Sequence, residues 1–377
     1  QHPLSAAELL ADKQEADRRL ANAEKLATVA AYLNDEYKYP KSLFNKAWAS
    51  LIMNDEHSYG TSGYQGRRVY ETWLQHRDWI ENARDIADSE TRSALKAIAD
   101  KVKGSGKRVL AFNPAAFERT ENLTADGECS ASLPPFGYKV ISAEEFNAIP
   151  HIKTDISKAP TIENNYYRVK FADNGSIAEI YDKKLGKPLN SGNCNEFMYT
   201  ADNHVSFKTP EKARFTVEES SNETAVHIYT CENTSGAEIV QTVTLPNREK
   251  RIDIDNRLYH VRDMVNSDRY HRYAYFAFPF DVENCRRYCE LGGAEAEYGV
   301  DITGHGTDVY MAAHEYCCVD DAFGKYGIGL IQLDSQLVEF DHIHPDKTDF
   351  GNLGGGSAVY SYLANDWLQM HLPGGSS

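Results

Sequence analysis

The chain is poor in basic residues, with 40 Lys and Arg against 56 Asp and Glu and a formal net charge of −16. A nucleic-acid partner requires clustered cations that neutralise phosphates, so this deficit excludes that class and favours neutral or cationic ligands. No apolar run approaches the roughly 20 residues that cross a bilayer, and we expect no membrane anchor. The first residues, Gln1-His2-Pro3, contain neither Met nor an apolar signal-like core, so we expect a piece of a longer polypeptide.

Cysteine is also used sparingly: the seven residues are an odd number and form no Cys-x-x-Cys pair. The Cys285-x-x-x-Cys289 spacing and the vicinal Cys317-Cys318 lack the further His or Cys that a metal site needs. A chain of 377 residues that is 41% hydrophobic can bury more than one core without disulfides. We therefore expect free thiols in a reducing compartment and a cytoplasmic location, with the periplasm or secretion as alternatives.

Apolar residues recur every three or four positions through the first hundred residues, which predicts amphipathic helices. Ser5-Ala6-Ala7-Glu8 has the form of a capping box at the start of the first helix. Pro40 separates the second helix from the first, and a cap at Asp88 or Ser89 is expected to separate a third helix from a fourth. Because the connections are short, we predict antiparallel helices packed as a bundle over residues 1–104.

From Gly104 onward the apolar period changes from about 3.6 to 2 residues, which predicts β-strands. The predicted strands are Val109–Phe112, Val140–Ile141, Tyr167–Phe171, Ile177–Tyr181, Ala225–Tyr229, Ile239–Leu245 and Ile252–Leu258. Many strands and few helices favour an antiparallel β-sandwich. The predicted fold class is therefore α+β: a helical bundle over residues 1–104, a small β segment over 105–150 and a sandwich over 151–377.

One candidate metal ligand stands out in the segment Asn54-Asp55-Glu56-His57-Ser58-Tyr59-Gly60, at the end of an amphipathic helical run. A neutral imidazole binds zinc-type ions, and a neighbouring carboxylate can orient the ring. One His does not make a site, because zinc needs two or three further protein ligands. A polar surface or capping residue is the alternative interpretation of His57.

Several segments, taken together and in order, resemble the glycoside hydrolase family 38 α-mannosidases. The segment around His57 resembles the stretch in which that family places its last zinc-binding His. The remaining similar segments are Val109–Pro114, Leu133–Tyr138, Ile162–Val169 with Gly175–Ile177 and Ile180–Lys183, Arg251–Asn256, Tyr275–Phe280 and Tyr360–Trp367. Each segment is weak evidence alone, but their order over nearly the whole chain is specific to this family.

The resemblance implies a three-helix bundle followed by a galactose mutarotase-like sandwich, in a zinc-dependent retaining enzyme acting on mannosides and mannose-containing glycans. Such an enzyme uses two carboxylates, one as nucleophile and one as proton donor. The family carries both, and most of its zinc ligands, in an N-terminal barrel that no part of this chain resembles. By this resemblance His57 is a metal ligand, Glu56 and Tyr59 contact substrate, and the chain without its own barrel is inactive with no catalytic residue.

A second hypothesis is a stand-alone carbohydrate-binding or scaffolding module whose sandwich binds glycans. Partly alternating tyrosines, Tyr270, Tyr273 and Tyr275, could form a sugar platform, although buried strand aromatics explain the same pattern. Exposed aromatics on one sheet face would favour this hypothesis over the first.

Two further constellations offer weaker alternatives. An independent mutarotase-like or lyase activity would need a convergent His and carboxylate pair. His314-Glu315 is an adjacent pair, but neighbouring strand residues point to opposite sides. The alternate spacing of His342 and His344 would place two imidazoles on one strand face, but no third ligand motif is spaced around them.

Overall fold

The computed structural model describes residues 7–55, 67–202, 206–232, 238–259, 273–301, 311–343 and 354–365. The chain divides into two compact units, Glu8–Pro150 and His151–Ser377. The first unit therefore contains both the helices and the small β segment, whereas the second is built from strands. We describe each unit by itself.

Three α-helices are present in the described residues: α1 (Ala7–Leu33), α2 (Lys41–Asn54) and α3 (Arg67–Ala99). Helix α2 begins directly after Pro40, whose missing N–H costs nothing at a helix start. The small side chains of Ala16, Ala23 and Ala30 on α1 are fully buried. Small side chains on this face let the rest of the unit pack closely against α1.

Polar side chains join the three helices. The Asn34 amide, just beyond α1, donates to the backbone oxygen of Ala97 on α3 at 2.9 Å. The Glu24 carboxylate accepts from the Trp48 indole of α2 at 3.0 Å and from the Tyr39 hydroxyl at 2.8 Å. These contacts fix the rotation of α2 and α3 about α1, because each bond ties a defined face of one helix to its neighbour.

The described strands follow the helices in chain order. In the first unit they are β1 (Arg108–Phe112), β2 (Arg119–Ala125), β3 (Gly127–Leu133) and β4 (Tyr138–Ser142). In the second unit they are β5 (Ile152–Ile156), β6 (Thr161–Glu163), β7 (Tyr167–Phe171), β8 (Ile177–Asp182), β9 (Lys187–Pro188), β10 (Glu196–Asp202), β11 (Ser206–Lys208), β12 (Lys212–Glu219), β13 (Glu223–Glu232), β14 (Glu238–Pro246), β15 (Asp253–Tyr259), β16 (Tyr273–Pro279), β17 (Cys285–Leu291), β18 (Ala294–Glu297), β19 (Met311–Ala312), β20 (Tyr316–Asp321), β21 (Gly327–Ile331), β22 (Leu337–Phe340) and β23 (Ala358–Asn365).

All strand pairs in the described residues are antiparallel. The first unit contains the pairs β1-β4 and β2-β3. The second unit contains a six-stranded sheet, β11-β10-β16-β23-β22-β19, and a five-stranded sheet, β15-β14-β13-β12-β5. Two four-stranded sheets, β18-β17-β20-β21 and β6-β7-β8-β9, complete it.

One large apolar cluster joins all four sheets of the second unit. It contains Val169 of β7, Val226 of β13, Phe276 of β16, Val319 of β20 and Phe340 of β22, among others. Along β14, buried and partly exposed residues alternate, as expected for a strand with one face on a core. The β-rich character predicted from the period-2 pattern is therefore present.

Two helical features differ from the sequence prediction or lie outside the described residues. No break occurs at Asp88 or Ser89, because α3 runs without interruption from Arg67 to Ala99. Instead of capping a new helix, the Asp88 carboxylate accepts two bonds from Arg19 of α1, at 3.0 and 2.9 Å. The capping residue predicted at Ser5 lies outside the described residues.

None of the described helices is both long and apolar enough to cross a bilayer.

Candidate functional site

The segment predicted to bind metal lies between α2 and α3. Glu56, His57 and Tyr59 fall in residues 56–66, which are outside the described residues. The described residues nearest in sequence are Asn54 and Asp55, the last residue of α2 and the residue after it. The contacts of these two residues therefore fix the point at which the chain enters this segment.

Asp55 ties the end of α2 to α1. Its backbone N–H donates to the carbonyl oxygens of Leu51 and Ile52, both at 3.2 Å. Its carboxylate lies 3.1 Å from the Lys13 ammonium, which also pairs with Asp17 at 2.8 Å. Burial alone would lower the pKa of Lys13, but the bonds from Asp17 and Asp55 raise it above its ordinary value. Asp55 is thus engaged in joining two helices.

Asn54 ties the same helix end to α3. Its side chain is buried, and its amide donates to the backbone oxygen of His76 at 3.3 Å. The His76 ring is itself buried and contacts the Trp79 ring edge-on, with 5.1 Å between centroids. Because α2 is held by both neighbours two residues before His57, the chain enters segment 56–66 from a fixed point.

The alternative sites proposed from sequence are not assembled in the described residues. The ring of His342 contacts the Asp341 carboxylate at 2.6 Å, whereas His344 lies outside the described residues. His314 lies 3.4 Å from the carboxylate of Glu290, and Glu315 is exposed. No group of three or more His, Cys, Asp or Glu side chains in the described part of the chain could hold a metal ion.

The tyrosine platform is not supported by the one member whose side chain is described. Tyr275 is fully buried, whereas Tyr270 and the side chain of Tyr273 lie outside the described residues. A sugar platform needs a ring face that is open to solvent, so Tyr275 cannot serve as one. The period-2 pattern around Tyr275 reflects a buried strand.

A buried tyrosine and carboxylate pair was missed by the sequence analysis. Glu339 of β22 is fully buried, and its carboxylate accepts a hydrogen bond from the Tyr275 hydroxyl at 2.8 Å. The rings of Tyr360 and Tyr362 on β23 pack against Tyr275, at centroid distances of 6.4 and 4.9 Å. A signal existed in the sequence, because Leu337-Val338-Glu339-Phe340 places a single carboxylate in an apolar strand.

Burial and nearby charges both act on the pKa of Tyr360. Burial raises its pKa, and the nearby carboxylates of Asp341 and Glu339 raise it further by disfavouring a second negative charge. Tyr360 therefore remains neutral near neutral pH. The hydrogen bond between Tyr275 and Glu339 joins β16 to β22 across the strand β23 that lies between them.

We expect Tyr275→Phe to lower the free energy of unfolding by roughly 1–3 kcal/mol, because it removes a hydrogen-bond donor from a buried carboxylate. Urea titration followed by fluorescence measures the change. The matched control is Tyr229→Phe on β13, whose side chain is 41% exposed, so that water replaces a lost bond; its expected change is within about 0.5 kcal/mol. Equal effects of the two substitutions would show that the Glu339 bond contributes nothing.

The comparison with known families gives one match. Residues 162–296 match the model described as "Glycosyl hydrolases family 38 C-terminal domain". The matched range covers about a third of the chain and extends from within β6 into β18. No curated protein sequence matches the chain. Over these residues the chain is similar to the C-terminal domain of glycoside hydrolase family 38.

Proposed function

We propose that this chain is the helical and β-rich part of a zinc-dependent retaining α-mannosidase, which hydrolyses α-mannosidic bonds in mannosides or glycans. The observation that carries the proposal is the family 38 match over residues 162–296. In this proposal His57 is a zinc ligand, and Glu56 and Tyr59 form part of the wall of the sugar pocket. The enzyme acts in the cytoplasm, in keeping with six free thiols among the cysteines whose side chains are described.

The proposal divides the chemistry between two parts of one protein. An N-terminal barrel, acting as the partner of this chain, supplies the nucleophile, the proton donor and the other zinc ligands. The described residues contain no group of three metal-ligating side chains, and in this proposal the further ligands come from the barrel. Zinc, when bound, acts as a Lewis acid on sugar oxygens. In this proposal the chain contributes one zinc ligand, the imidazole of His57, which follows the anchored end of α2 in the sequence.

Two exposed apolar side chains support docking of a further domain near this site. Ile52 and Met53, in the last turn of α2, are 67% and 53% exposed. They precede His57 by only a few residues and sit on the helix end that Asn54 and Asp55 anchor. A domain that supplies the missing ligands would cover this apolar surface as it reaches His57.

The proposed architecture is a three-helix bundle over residues 1–104, a small β segment over 105–150 and a mutarotase-like sandwich over 151–377. The apolar cluster shared by the four sheets of the second unit supports the sandwich. The glycines at the first boundary support a change of architecture there, because Gly104 and Gly106 have φ of 126° and 91°, which favour glycine. The division after Pro150 supports the second boundary.

The experiment compares this chain alone with the same chain joined to its N-terminal barrel. We expect the joined protein to hydrolyse p-nitrophenyl α-mannoside with retention of anomeric configuration, seen by NMR, and this chain alone to be inactive. A chelator should abolish the activity and added zinc should restore it. The matched substrate control is p-nitrophenyl α-glucoside. Equal cleavage of both glycosides, or activity that survives removal of zinc, would contradict the proposal.

A second candidate function is a stand-alone carbohydrate-binding module. It is favoured by Tyr229 and Tyr259, which are 41% and 43% exposed on the five-stranded sheet. Exposed tyrosine rings on a sheet can stack against sugar rings. Binding of this chain to a glycan array in the presence of a chelator, lost in Tyr229→Ala, would support this function. Absence of glycan binding by the isolated chain would leave the hydrolase proposal alone.

A further inference from the structure

Two buried cysteines face each other across neighbouring strands. Cys289 of β17 and Cys317 of β20 are direct partners in the antiparallel register. Both side chains are fully buried in the main apolar cluster, and the two thiol groups are close neighbours. Directly opposite residues in antiparallel strands have Cα atoms about 4.5–5.5 Å apart, within the range of about 4.4–6.8 Å that a disulfide spans. The register itself therefore satisfies the backbone requirement for a disulfide.

The other described cysteines have different neighbours. Cys194 is equally buried but lies opposite Ile177. Cys318 is partly buried and lies opposite Tyr288. The thiol of Cys285 donates toward the backbone oxygens of Gly355 and Gly356, at 3.7 and 3.5 Å. Among these cysteines, only Cys289 and Cys317 lie directly opposite each other in paired strands.

We propose that Cys289 and Cys317 form a disulfide when the chain folds in an oxidising medium, and that they remain thiols when it folds in a reducing one. With oxidised glutathione as the oxidant, the Cys289 thiolate attacks its disulfide and releases one reduced glutathione. The Cys317 thiolate then attacks the Cys289 sulfur of the mixed disulfide and releases a second. The protein loses two protons and two electrons, one protein S–S bond forms, and the glutathione S–S bond breaks.

The redox state should be fixed at the time of folding. The neighbouring Cys289 thiol and burial both raise the pKa of Cys317, so that little thiolate exists in the folded protein. Neither sulfur can be reached by glutathione, since both side chains are fully buried. Exchange in the native state therefore requires the opening of β17 from β20.

The bond would close a loop that connects two sheets. Residues 290–316 include β18, in a four-stranded sheet, and β19, in the six-stranded sheet. Closing a loop of this length restricts the unfolded chain, and the expected rise in the thermal midpoint is roughly 5–10 °C. The disulfide would thus stabilise the β-rich unit only where the compartment allows it to form.

The experiment refolds the 377-residue chain from denaturant with either reduced or oxidised glutathione. Free thiols are then blocked by iodoacetamide in denaturant, and the peptides are mapped by mass spectrometry. We expect a linked Cys289–Cys317 peptide pair only after oxidative refolding, with Cys194 alkylated in both samples. Both thiols alkylated after oxidative refolding, or a predominant Cys317–Cys318 or Cys285–Cys289 pairing, would overturn the proposal.

Two variants test the effect on stability. Cys289→Ser should abolish the difference in thermal midpoint between the oxidised and reduced samples, whereas Cys194→Ser should retain it. The peptide map of the wild-type chain does not depend on either variant and decides the pairing even if Cys289→Ser fails to fold. Folded, reduced protein treated with oxidised glutathione should remain reduced for far longer than a refolding chain. Rapid formation of the disulfide in the folded protein would contradict the proposal that the redox state of the two cysteines is fixed during folding.

Discussion

Replacing His57 by alanine is expected to lower the α-mannosidase activity of the barrel-joined protein at least about 100-fold, and to reduce its zinc content in parallel. The reason lies in the small number of ligands: a catalytic zinc site has only about three protein donors, so the loss of one removes a large share of the binding energy. The change should leave the helices intact, because the anchored end of α2 depends on Asn54 and Asp55.

The design of this experiment separates loss of metal from loss of fold. Zinc is measured by elemental analysis, and the fold by circular dichroism and the thermal midpoint. His342→Ala is the matched control, since that ring contacts Asp341 and belongs to no metal-ligating group in the described residues. The control should keep its zinc and its activity. A His57→Ala protein with full zinc and full activity would exclude His57 from the site and return it to the surface or capping interpretation.

Local pattern was enough to predict the helical region and seven of the 23 described strands. The start of α2 after Pro40 follows from the conformational restriction of proline. Tyr167–Phe171 was predicted with the bounds that β7 has, because Tyr167, Val169 and Phe171 alternate with more polar residues. The helix break predicted at Asp88 was wrong. Asp is a residue type that often caps a helix, but here Asp88 lies inside α3. In the folded unit its partner is Arg19, which is distant in sequence and not visible to a local rule.

The buried pair of Tyr275 and Glu339 shows what local pattern cannot supply. The sequence places a carboxylate in an apolar strand, but it does not say that β16 will bring a phenol hydroxyl to within 2.8 Å. The contact depends on the order β16-β23-β22, in which a later strand lies between two earlier ones. Such order is set by non-local packing. The same holds for Lys13 and Asp55, which come together only because α1 and α2 pack.

The candidate site stays a prediction from the sequence. His57 is predicted as a zinc ligand from the resemblance of its flanking residues to family 38, together with the affinity of imidazole for zinc. Its proposed partners Glu56 and Tyr59 stand on the same segment, which lies outside the described residues. These three assignments therefore stay predictions, whereas the contacts that hold the chain just before them are described. The anchoring of α2 limits where the imidazole can be placed.

Asp182 is expected to produce the largest change in stability among the residues of the matched range. Its carboxylate is almost fully buried and lies 2.8 Å from the Lys250 ammonium. The same carboxylate accepts backbone N–H bonds from Lys184 and Leu185, at 2.8 and 2.9 Å. Burial by itself would raise the pKa of Asp182, but Lys250 and these N–H groups hold it below the ordinary value of 3.8. The ionised form is therefore the one that the fold stabilises.

Asp182→Ala should lower the free energy of unfolding at pH 7 by roughly 2–4 kcal/mol, because it leaves two turn N–H groups and a partly buried ammonium without their acceptor. Asp182→Asn keeps an acceptor for the N–H groups and loses only the charge, so a smaller loss of about 1–3 kcal/mol is expected. The exposed pair of Lys96 and Asp100 provides the control: Asp100→Asn should change stability by less than about 0.5 kcal/mol.

The dependence on pH identifies the source of the effect of Asp182. Since the folded pKa is depressed, the contribution of the carboxylate is fully present above the unfolded value near 3.8 and is lost as the pH falls through the lower folded value. Urea titrations between pH 7 and pH 2 should therefore show wild-type and Asp182→Asn proteins converging at the acid end. A gap that stays constant over this range would mean that the amide disturbs packing, and that the charge of Asp182 contributes nothing to the fold.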